Sequence, residues 1–232
     1  MIFAVAIDHL NCLQTNDRIV FKRSKAIWDF SPDTPYVYTF KMRLNEESIT
    51  MLKQQIEPYK EFARPYYVNR DSAHDFRHIK RIISRLDLLS KEMPPCSKAL
   101  LCFLACFHGL KTQLEKDELF RDRVKVFLQN LTWNEPEIEK AFSSLKRHTS
   151  NPQTVEEQIV HDANYVELLG ALGIAKAFTT GGAYQQTYEE TANIFEYRYL
   201  DKVKFVTPVG KRIAKQKRAY TKSFLKQLRS EL

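Results

Sequence analysis

The sequence has 232 residues, of which 44% are apolar and 28% are charged, and its formal net charge is +8. This composition is close to that of globular domains and excludes collagen-like, coiled-coil and disordered chains. The longest apolar run, residues 99–107, is much shorter than the roughly 18 to 20 residues that cross a bilayer, so we expect no membrane span.

Cysteine usage and the first residues predict a cytoplasmic protein. The four cysteines form no CxxC pair, and Cys96, Cys102 and Cys106 lie in or beside one apolar stretch. Such thiols are typical of reduced core residues rather than of a disulfide framework. Residues 1–7 are apolar, but they lack a basic flank and run into Asp8, which is not the pattern of a secretory signal.

The first part of the chain has the character of short strands followed by a helix. Residues 2–7, 18–21 and 36–44 are rich in β-branched and aromatic side chains, which favour strands. Asn45 can then cap a helix that ends near Pro58. The sequence therefore predicts a small α/β extension over residues 1–65 and assigns no role to it.

From residue 66 onward the pattern predicts one helical domain, residues 66–232, so the fold class is mainly α. Asp71 or Ser72 can cap a first helix that Pro94 and Pro95 stop, and residues 96–107 are apolar on all sides, as in a helix at the centre of a bundle. Further helices are predicted at residues 115–130, 135–148, 154–178 (ended by Gly181 and Gly182), 186–200 and from Thr207-Pro208 onward.

The end of the chain is strongly basic. Residues 201–232 contain ten Lys or Arg residues against Asp201 and Glu231, which accounts for the whole net charge of +8. A basic helix can contact nucleic acid or another anionic partner. A solvated helix face is the favoured interpretation. The sequence has no RNA-recognition or helix-turn-helix signature, so sequence-specific recognition of nucleic acid is unsupported.

Three polar residues stand at positions where helical periodicity predicts core residues. Asp162 lies between Ile159 and Val166 on an apolar face, so its carboxylate needs a cation, a metal or several hydrogen-bond donors. His108 ends the all-apolar helix and is expected to be buried, whereas His78 lies beside an apolar stripe. The alternative for Asp162 is a structural salt bridge, for His108 a hydrogen-bonded core histidine, and for His78 a solvated polar edge. If the three side chains converge, they suit Zn, Mn or Fe(II) as a metal site.

Three separated segments, residues 74–82, 99–108 and 157–175, resemble the HD-domain metal-dependent phosphohydrolase superfamily, and most of all its small bacterial nucleotide-hydrolysing members. The likeness covers about residues 66–230 and includes the helix that begins at Thr207-Pro208. The resemblance implies an HD-domain-like helical bundle that holds a divalent metal, with Mn, Zn, Fe, Mg or Ni as candidates.

Carried over by position, the resemblance implies that His78, His108 and Asp162 are the metal ligands. The aspartate of the family's His-Asp pair is replaced by Gly109, which cannot ligate, and Asn164 and Glu167 stand where aspartates are usual. Other residues that the resemblance places near the pocket are His74, Asp75, Lys111 and His148 for catalysis, and Arg81 and Lys111 for phosphate binding.

Two functions remain open. The first is a metal-dependent phosphohydrolase that acts on a nucleotide or another phosphate ester, with metal affinity weakened by Gly109. The alternative is a catalytically degenerate HD domain that binds a nucleotide or phosphate, or another protein, without cleaving it.

Overall fold

Helices make up most of the chain in the computed structural model, which describes residues 11–15, 18–23, 26–30, 46–68, 75–200 and 202–232. The strands predicted at residues 2–7 and 36–44, and the candidate caps Asp71 and Ser72, lie outside these ranges. The chain divides into two compact units, Met1–Met51 and Leu52–Leu232.

The first unit contains a three-stranded antiparallel sheet. Its strands β1 (Asn11–Thr15), β2 (Arg18–Arg23) and β3 (Ala26–Phe30) pair in sequence order. Phe21 lies opposite Cys12 on one side and opposite Trp28 on the other. The β-branched and aromatic residues of these segments are typical of strands, so the strand predicted at residues 18–21 is present.

Helix α1 (Glu46–Ala63) continues through Pro58, so the predicted helix end near this proline is wrong. A proline inside a helix removes one backbone hydrogen bond. The helix continues because Ile56, Tyr59 and Ala63, spaced three and four residues apart, are buried in the core of the second unit. For the same reason the second unit begins at Leu52, whereas the sequence placed the boundary between residues 65 and 66.

The second unit is a helical bundle, and its described residues contain no strand. After a 3₁₀ turn at Arg64–Tyr67, its helices are α2 (Phe76–Ser90), α3 (Lys98–Phe107), α4 (Lys111–Lys116), α5 (Glu118–Asn130), α6 (Glu135–Arg147), α7 (Val155–Tyr165), α8 (Gly170–Ala183), α9 (Tyr188–Phe195) and α10 (Pro208–Glu231). The predicted mainly α class is confirmed.

Helix α3 lies at the centre of this bundle, as its uniform apolarity predicted. Every residue from Leu100 to Phe107 is buried, and the helix packs against α2, α6 and α7. It is nonetheless only 10 residues long. Within the described ranges, no helix combines the length and the apolarity that a bilayer crossing requires.

Side-chain caps begin most of these helices. Asp75 accepts a hydrogen bond from the backbone N–H of Arg77 and thereby starts α2, later than either cap expected from the sequence. Thr207 starts α10 by accepting from the backbone N–H of Gly210 at 3.0 Å, with Pro208 in the first turn, as predicted.

The long helix predicted at residues 154–178 is two helices. After α7 the chain forms a 3₁₀ turn at Val166–Leu168, Leu169 is extended, and Gly170 has φ +73°, which is the left-handed region that glycine tolerates. Gly181 and Gly182 lie in the last turn of α8, which ends at Ala183, close to the helix end predicted from them. The break turns the residues that follow α7 toward α2, and Glu167 is among them.

Candidate functional site

Three histidines from different parts of the bundle meet in one place. His78 lies on α2, His108 follows α3 and His148 follows α6; we call these three the histidine cluster. The ring centroids of His78 and His108 are 5.5 Å apart, and those of His108 and His148 are 5.0 Å apart. The structure therefore brings together two of the three predicted metal ligands, together with a predicted pocket residue.

Hydrogen bonds define the tautomers of these rings. Nδ1 of His148 lies 2.7 Å from the carbonyl oxygen of Leu145 and must donate to it, so Nε2 of His148 accepts from Nδ1 of His108 at 2.7 Å. Nδ1 of His78 donates to Oε2 of Glu167 at 2.9 Å. In both His78 and His108 the lone pair is consequently on Nε2.

Burial keeps two of these histidines neutral. It lowers the pKa of His148 to about 4, against a smaller opposing effect of the Leu145 carbonyl, and nearby Lys111 lowers it further. Burial also lowers the pKa of His78, although the Glu167 carboxylate opposes this shift. Both rings are therefore neutral acceptors at pH 7.

A tyrosine fixes the turn that carries His108. The hydroxyl of Tyr67 donates to the carbonyl of Cys106 at 3.0 Å and accepts from the backbone N–H of Gly109 at 3.1 Å. These bonds satisfy backbone groups where α3 passes into the 3₁₀ turn His108–Leu110. His108 is half-buried rather than buried as expected, because it lies beyond the end of α3; Tyr67 itself belongs to no motif that the sequence analysis singled out.

Glu167 is fully buried and is the carboxylate next to His78. Its oxygens accept from Nε of Arg81 at 2.7 Å, Nη1 of Arg85 at 2.8 Å and Nζ of Lys176 at 3.3 Å. Burial alone raises the pKa of Glu167, but the hydrogen bonds from His78, Arg81 and Arg85 outweigh it and hold the pKa well below its usual value. We call Glu167, Arg81, Arg85 and Lys176 the Glu167 network.

Asp162 is fully buried and inward-facing, as predicted. Its partners are several hydrogen-bond donors, which was one of the three possibilities left open by the sequence. Oδ2 accepts from the backbone N–H of Thr207 at 2.8 Å and from its hydroxyl at 2.6 Å, while Oδ1 accepts from Val206 N at 3.0 Å and His161 Nδ1 at 3.0 Å. The carboxylate therefore joins α7 to the start of α10.

The described side chains show two histidine nitrogens and a separately bonded carboxylate. His78 and His108 present two ring nitrogens, Gly109 has no ligand atom, and both oxygens of Asp162 are bonded to donors. Among the residues that the structure describes, no group of three or more His, Cys, Asp or Glu side chains is arranged to hold a metal ion. The assignment of His78, His108 and Asp162 as the ligands of one metal stays a prediction.

The other residues that the sequence analysis placed near the pocket do not belong to the histidine cluster or to the Glu167 network. Asp75 caps α2 and pairs with Arg77 at 2.6 Å, Asn164 is half-buried, and His74 lies outside the described residues. His161, which the sequence analysis did not select, lies against Asp162, and its ring is tilted by 58° to that of Tyr165 with centroids 4.2 Å apart. Its position next to Asp162 in the sequence was the available signal.

Comparison with known proteins identifies the fold. No family model matches the chain, and no curated protein matches its sequence. Among solved structures, an HD-superfamily hydrolase from Bacillus thuringiensis is 24% identical, with a TM-score of 0.64 over 78% of this chain and 97% of that one. Bacillus subtilis YpgQ in complex with ADP is 16% identical, with a TM-score of 0.63 over 78% of this chain and 96% of that one.

A third solved structure matches with a lower TM-score. A predicted HD-superfamily hydrolase from an uncultured Thermotogales bacterium is 16% identical, with a TM-score of 0.52 over 81% of this chain and 99% of that one. The class defined by these matches is the HD-superfamily helical fold, and this chain has that fold. The resemblance stated from the sequence is therefore confirmed for the fold, while the replacement by Gly109 remains a sequence observation.

Substitution of Gly210 tests the junction between α7 and α10. A Cβ at this position would overlap the Asp162 carboxylate and lie 2.7 Å from Thr207 Oγ1. We expect Gly210→Ala to lower the free energy of unfolding by about 1 to 3 kcal/mol, because buried hydrogen bonds are displaced. Gly182→Ala is the control, because a Cβ at that position meets nothing within 4 Å. It should leave the free energy of unfolding unchanged or raise it by up to about 1 kcal/mol. Urea denaturation measures both, and equal effects would contradict the described packing.

Substitution of Glu167 tests the buried network. Glu167→Gln leaves Arg81, Arg85 and Lys176 without their counterion, so the free energy of unfolding should fall by about 3 to 5 kcal/mol at pH 7. Because the folded-state pKa lies below the usual 4.5, this stabilisation is complete above pH 4.5 and is lost as the pH falls. The difference between wild type and variant should therefore shrink in acid.

The matched control for this experiment is Glu92→Gln. Glu92 forms an exposed ion pair with Arg212, and such pairs contribute little to stability. Chemical denaturation between pH 3 and pH 8 compares the three proteins. If Glu167→Gln and Glu92→Gln unfold alike, the buried network does not stabilise the fold.

Proposed function

We propose that this chain binds a nucleotide or another phosphate ester beside the histidine cluster and does so without a three-ligand metal centre. This is the second of the two functions that the sequence left open. The observation that carries the proposal is the excess of cationic donors around Glu167, next to the histidine cluster.

The Glu167 network carries a surplus of positive charge. Three cationic side chains contact one carboxylate, and Arg81, Arg85 and Lys176 keep 31%, 20% and 19% of their side-chain surface exposed. Each guanidinium has five N–H donors and each ammonium three, of which Glu167 occupies only some. The remaining donors suit phosphate oxygens, which accept charge-assisted hydrogen bonds.

Two further observations favour a phosphate-bearing ligand. Lys111 lies close enough to His148 to lower the pKa of that ring, which adds a cation on the other side of the cluster. The neighbour YpgQ was solved in complex with ADP, so a protein of this fold can hold a nucleotide. A nucleoside diphosphate is therefore the ligand class we propose for this chain.

Metal-dependent phosphoester hydrolysis is the second candidate, and the tautomers of His78 and His108 favour it. Histidines that bind metals usually donate their other ring N–H to a carboxylate, a carbonyl or another acceptor, as these two rings do with Glu167 and His148. The described residues offer no third ligand beside them. Binding without hydrolysis is for this reason the stronger conclusion.

Binding of ADP in the presence of EDTA tests the proposal. We expect calorimetric titration to give the same affinity with and without the chelator, and metal analysis of protein purified without chelator to find less than one equivalent. Lys111→Gln should weaken ADP binding about 10- to 100-fold, since a charge-assisted hydrogen bond contributes about 1.5 to 3 kcal/mol.

Lys116→Gln is the matched control, because Lys116 is exposed at the other end of the same helix, α4. Its ADP affinity should equal that of the wild type. Loss of binding on addition of EDTA would favour the metal-dependent candidate, and absence of ADP binding under both conditions would overturn nucleotide binding.

Gly109→Asp tests whether the missing carboxylate is what prevents metal binding. Gly109 lies in the 3₁₀ turn His108–Leu110, a right-handed conformation that residues with a Cβ adopt. The variant should bind Mn²⁺ or Zn²⁺ at least tenfold more tightly than the wild type. Gly182→Asp, which adds the same charge in open space, should not change the affinity. Equal calorimetric affinities in all three folded proteins would mean that position 109 does not face His78 and His108.

A further inference from the structure

Helix α10 carries a line of exposed lysines that the proposed nucleotide site does not use. Lys211, Lys215, Lys222 and Lys226 are all exposed, and we call these four the lysine stripe. Their spacings of four, seven and four residues place them on one side of a helix with 3.6 residues per turn. The stripe is about 22 Å long, at a rise of 1.5 Å per residue.

The other cations of α10 have partners within the fold. Arg212 pairs with Glu92 at 3.0 Å, and Arg229 pairs with Glu196 at 2.6 Å. Lys217 donates to the carbonyl of Leu169 at 3.2 Å. Arg218 donates to the carbonyls of Leu200 and Val203.

The four lysines of the stripe lack such ion pairs within the described part of the chain. No carboxylate of the described residues forms an ion pair with any member of the stripe. Carboxylates are present beside the helix, since Glu92 and Glu196 lie there, but they pair with arginines. The stripe therefore presents four positive charges to solvent in a row.

The geometry favours an extended polyanion over a bilayer surface. Lysines four residues apart are about 6 Å apart along the axis, and Lys215 and Lys222 are about 10 Å apart, so the charges form a line that an extended anion can follow. An interfacial helix would need a free apolar face to enter the lipid. The apolar face of α10 is already buried in the bundle through Val209, Ala214 and Leu225.

An aromatic side chain lies on the segment that flanks the stripe. The ion pair between Arg229 and Glu196 holds the π-helical turn Glu196–Leu200 beside α10. In this turn Tyr197 is 66% exposed, and Nζ of Lys202 lies 3.5 Å from its ring centroid. Exposed aromatic rings next to basic side chains are the elements with which proteins stack unpaired bases and hold their phosphates.

We propose that the lysine stripe binds the phosphate backbone of a single-stranded nucleic acid without sequence specificity. Each lysine neutralises one phosphate, and Tyr197 offers a surface for base stacking. This surface is independent of the nucleotide site, because none of its residues belongs to the histidine cluster or the Glu167 network.

The test is fluorescence anisotropy of the full chain with a labelled 20-nucleotide oligothymidylate. Four phosphate contacts predict a slope of about −3 in a plot of log affinity against log salt, or about a 50-fold loss between 50 and 200 mM. The quadruple variant Lys211→Gln, Lys215→Gln, Lys222→Gln, Lys226→Gln should weaken binding at least tenfold at 50 mM salt and flatten the slope. Glutamine keeps the helix propensity of lysine, so circular dichroism should be unchanged.

The charge-matched control replaces four exposed lysines on other helices by glutamine, namely Lys98, Lys116, Lys140 and Lys146. It should bind like the wild type, and a saturating concentration of ADP should not displace the oligonucleotide. Equal weakening in both quadruple variants would overturn the proposal in favour of net charge alone, and displacement by ADP would assign the binding to the nucleotide site. Binding to phosphatidylserine vesicles but not to the oligonucleotide would overturn it in favour of a membrane surface.

Discussion

The buried carboxylate of Asp162 joins two helices of the bundle, α7 and α10. A fully buried carboxylate requires a complete set of donors, because its desolvation is otherwise too costly. Val206, Thr207 and His161 supply these donors and attach the start of α10 to α7. The same bonds occupy the oxygens that the resemblance assigned to a metal. The same carboxylate thus joins α7 to α10 and is the residue that the resemblance assigned to a metal.

Glu167 is the second buried carboxylate of this region, and it holds cationic side chains beside His78. It is held by two arginines and a lysine, and it orients His78 through Nδ1. One carboxylate cannot neutralise three cations, so the network remains electropositive although its centre is buried. The buried Glu167 carboxylate connects α2 to α8 through its ion pairs, while the cationic side chains of these pairs are partly exposed. In the proposed binding mode, the carboxylate of this network stabilises the fold, and the cationic side chains contact the ligand.

Positive charge on this chain has two distinct arrangements. Around Glu167 it is partly buried, converges from α2 and α8, and suits a small anion. Along α10 it is exposed and linear, and the lysines that form it are separate from the arginines that attach the helix to its neighbours. The arrangement around Glu167 has the form expected of a site for a single phosphate group. The lysine stripe has the form expected of a binding surface for an extended polyanion. Ionic strength should therefore affect the second far more than the first.

Local patterns in the sequence were sufficient for the helical class, for the burial of α3, for the inward face of Asp162 and for the Thr207 cap, because periodicity and capping act over a few residues. The HD resemblance added the overall fold. The continuation of α1 through Pro58 and the break at Gly170 could not be predicted, since apolar periodicity alone does not distinguish one helix from two. The partners of Asp162 were likewise decided only by the tertiary structure, because its carboxylate bonds to Thr207, 45 residues away. Whether a buried acid binds a metal or a helix end depends on which groups the folded chain brings within 3 Å of it, and sequence spacing does not contain that distance.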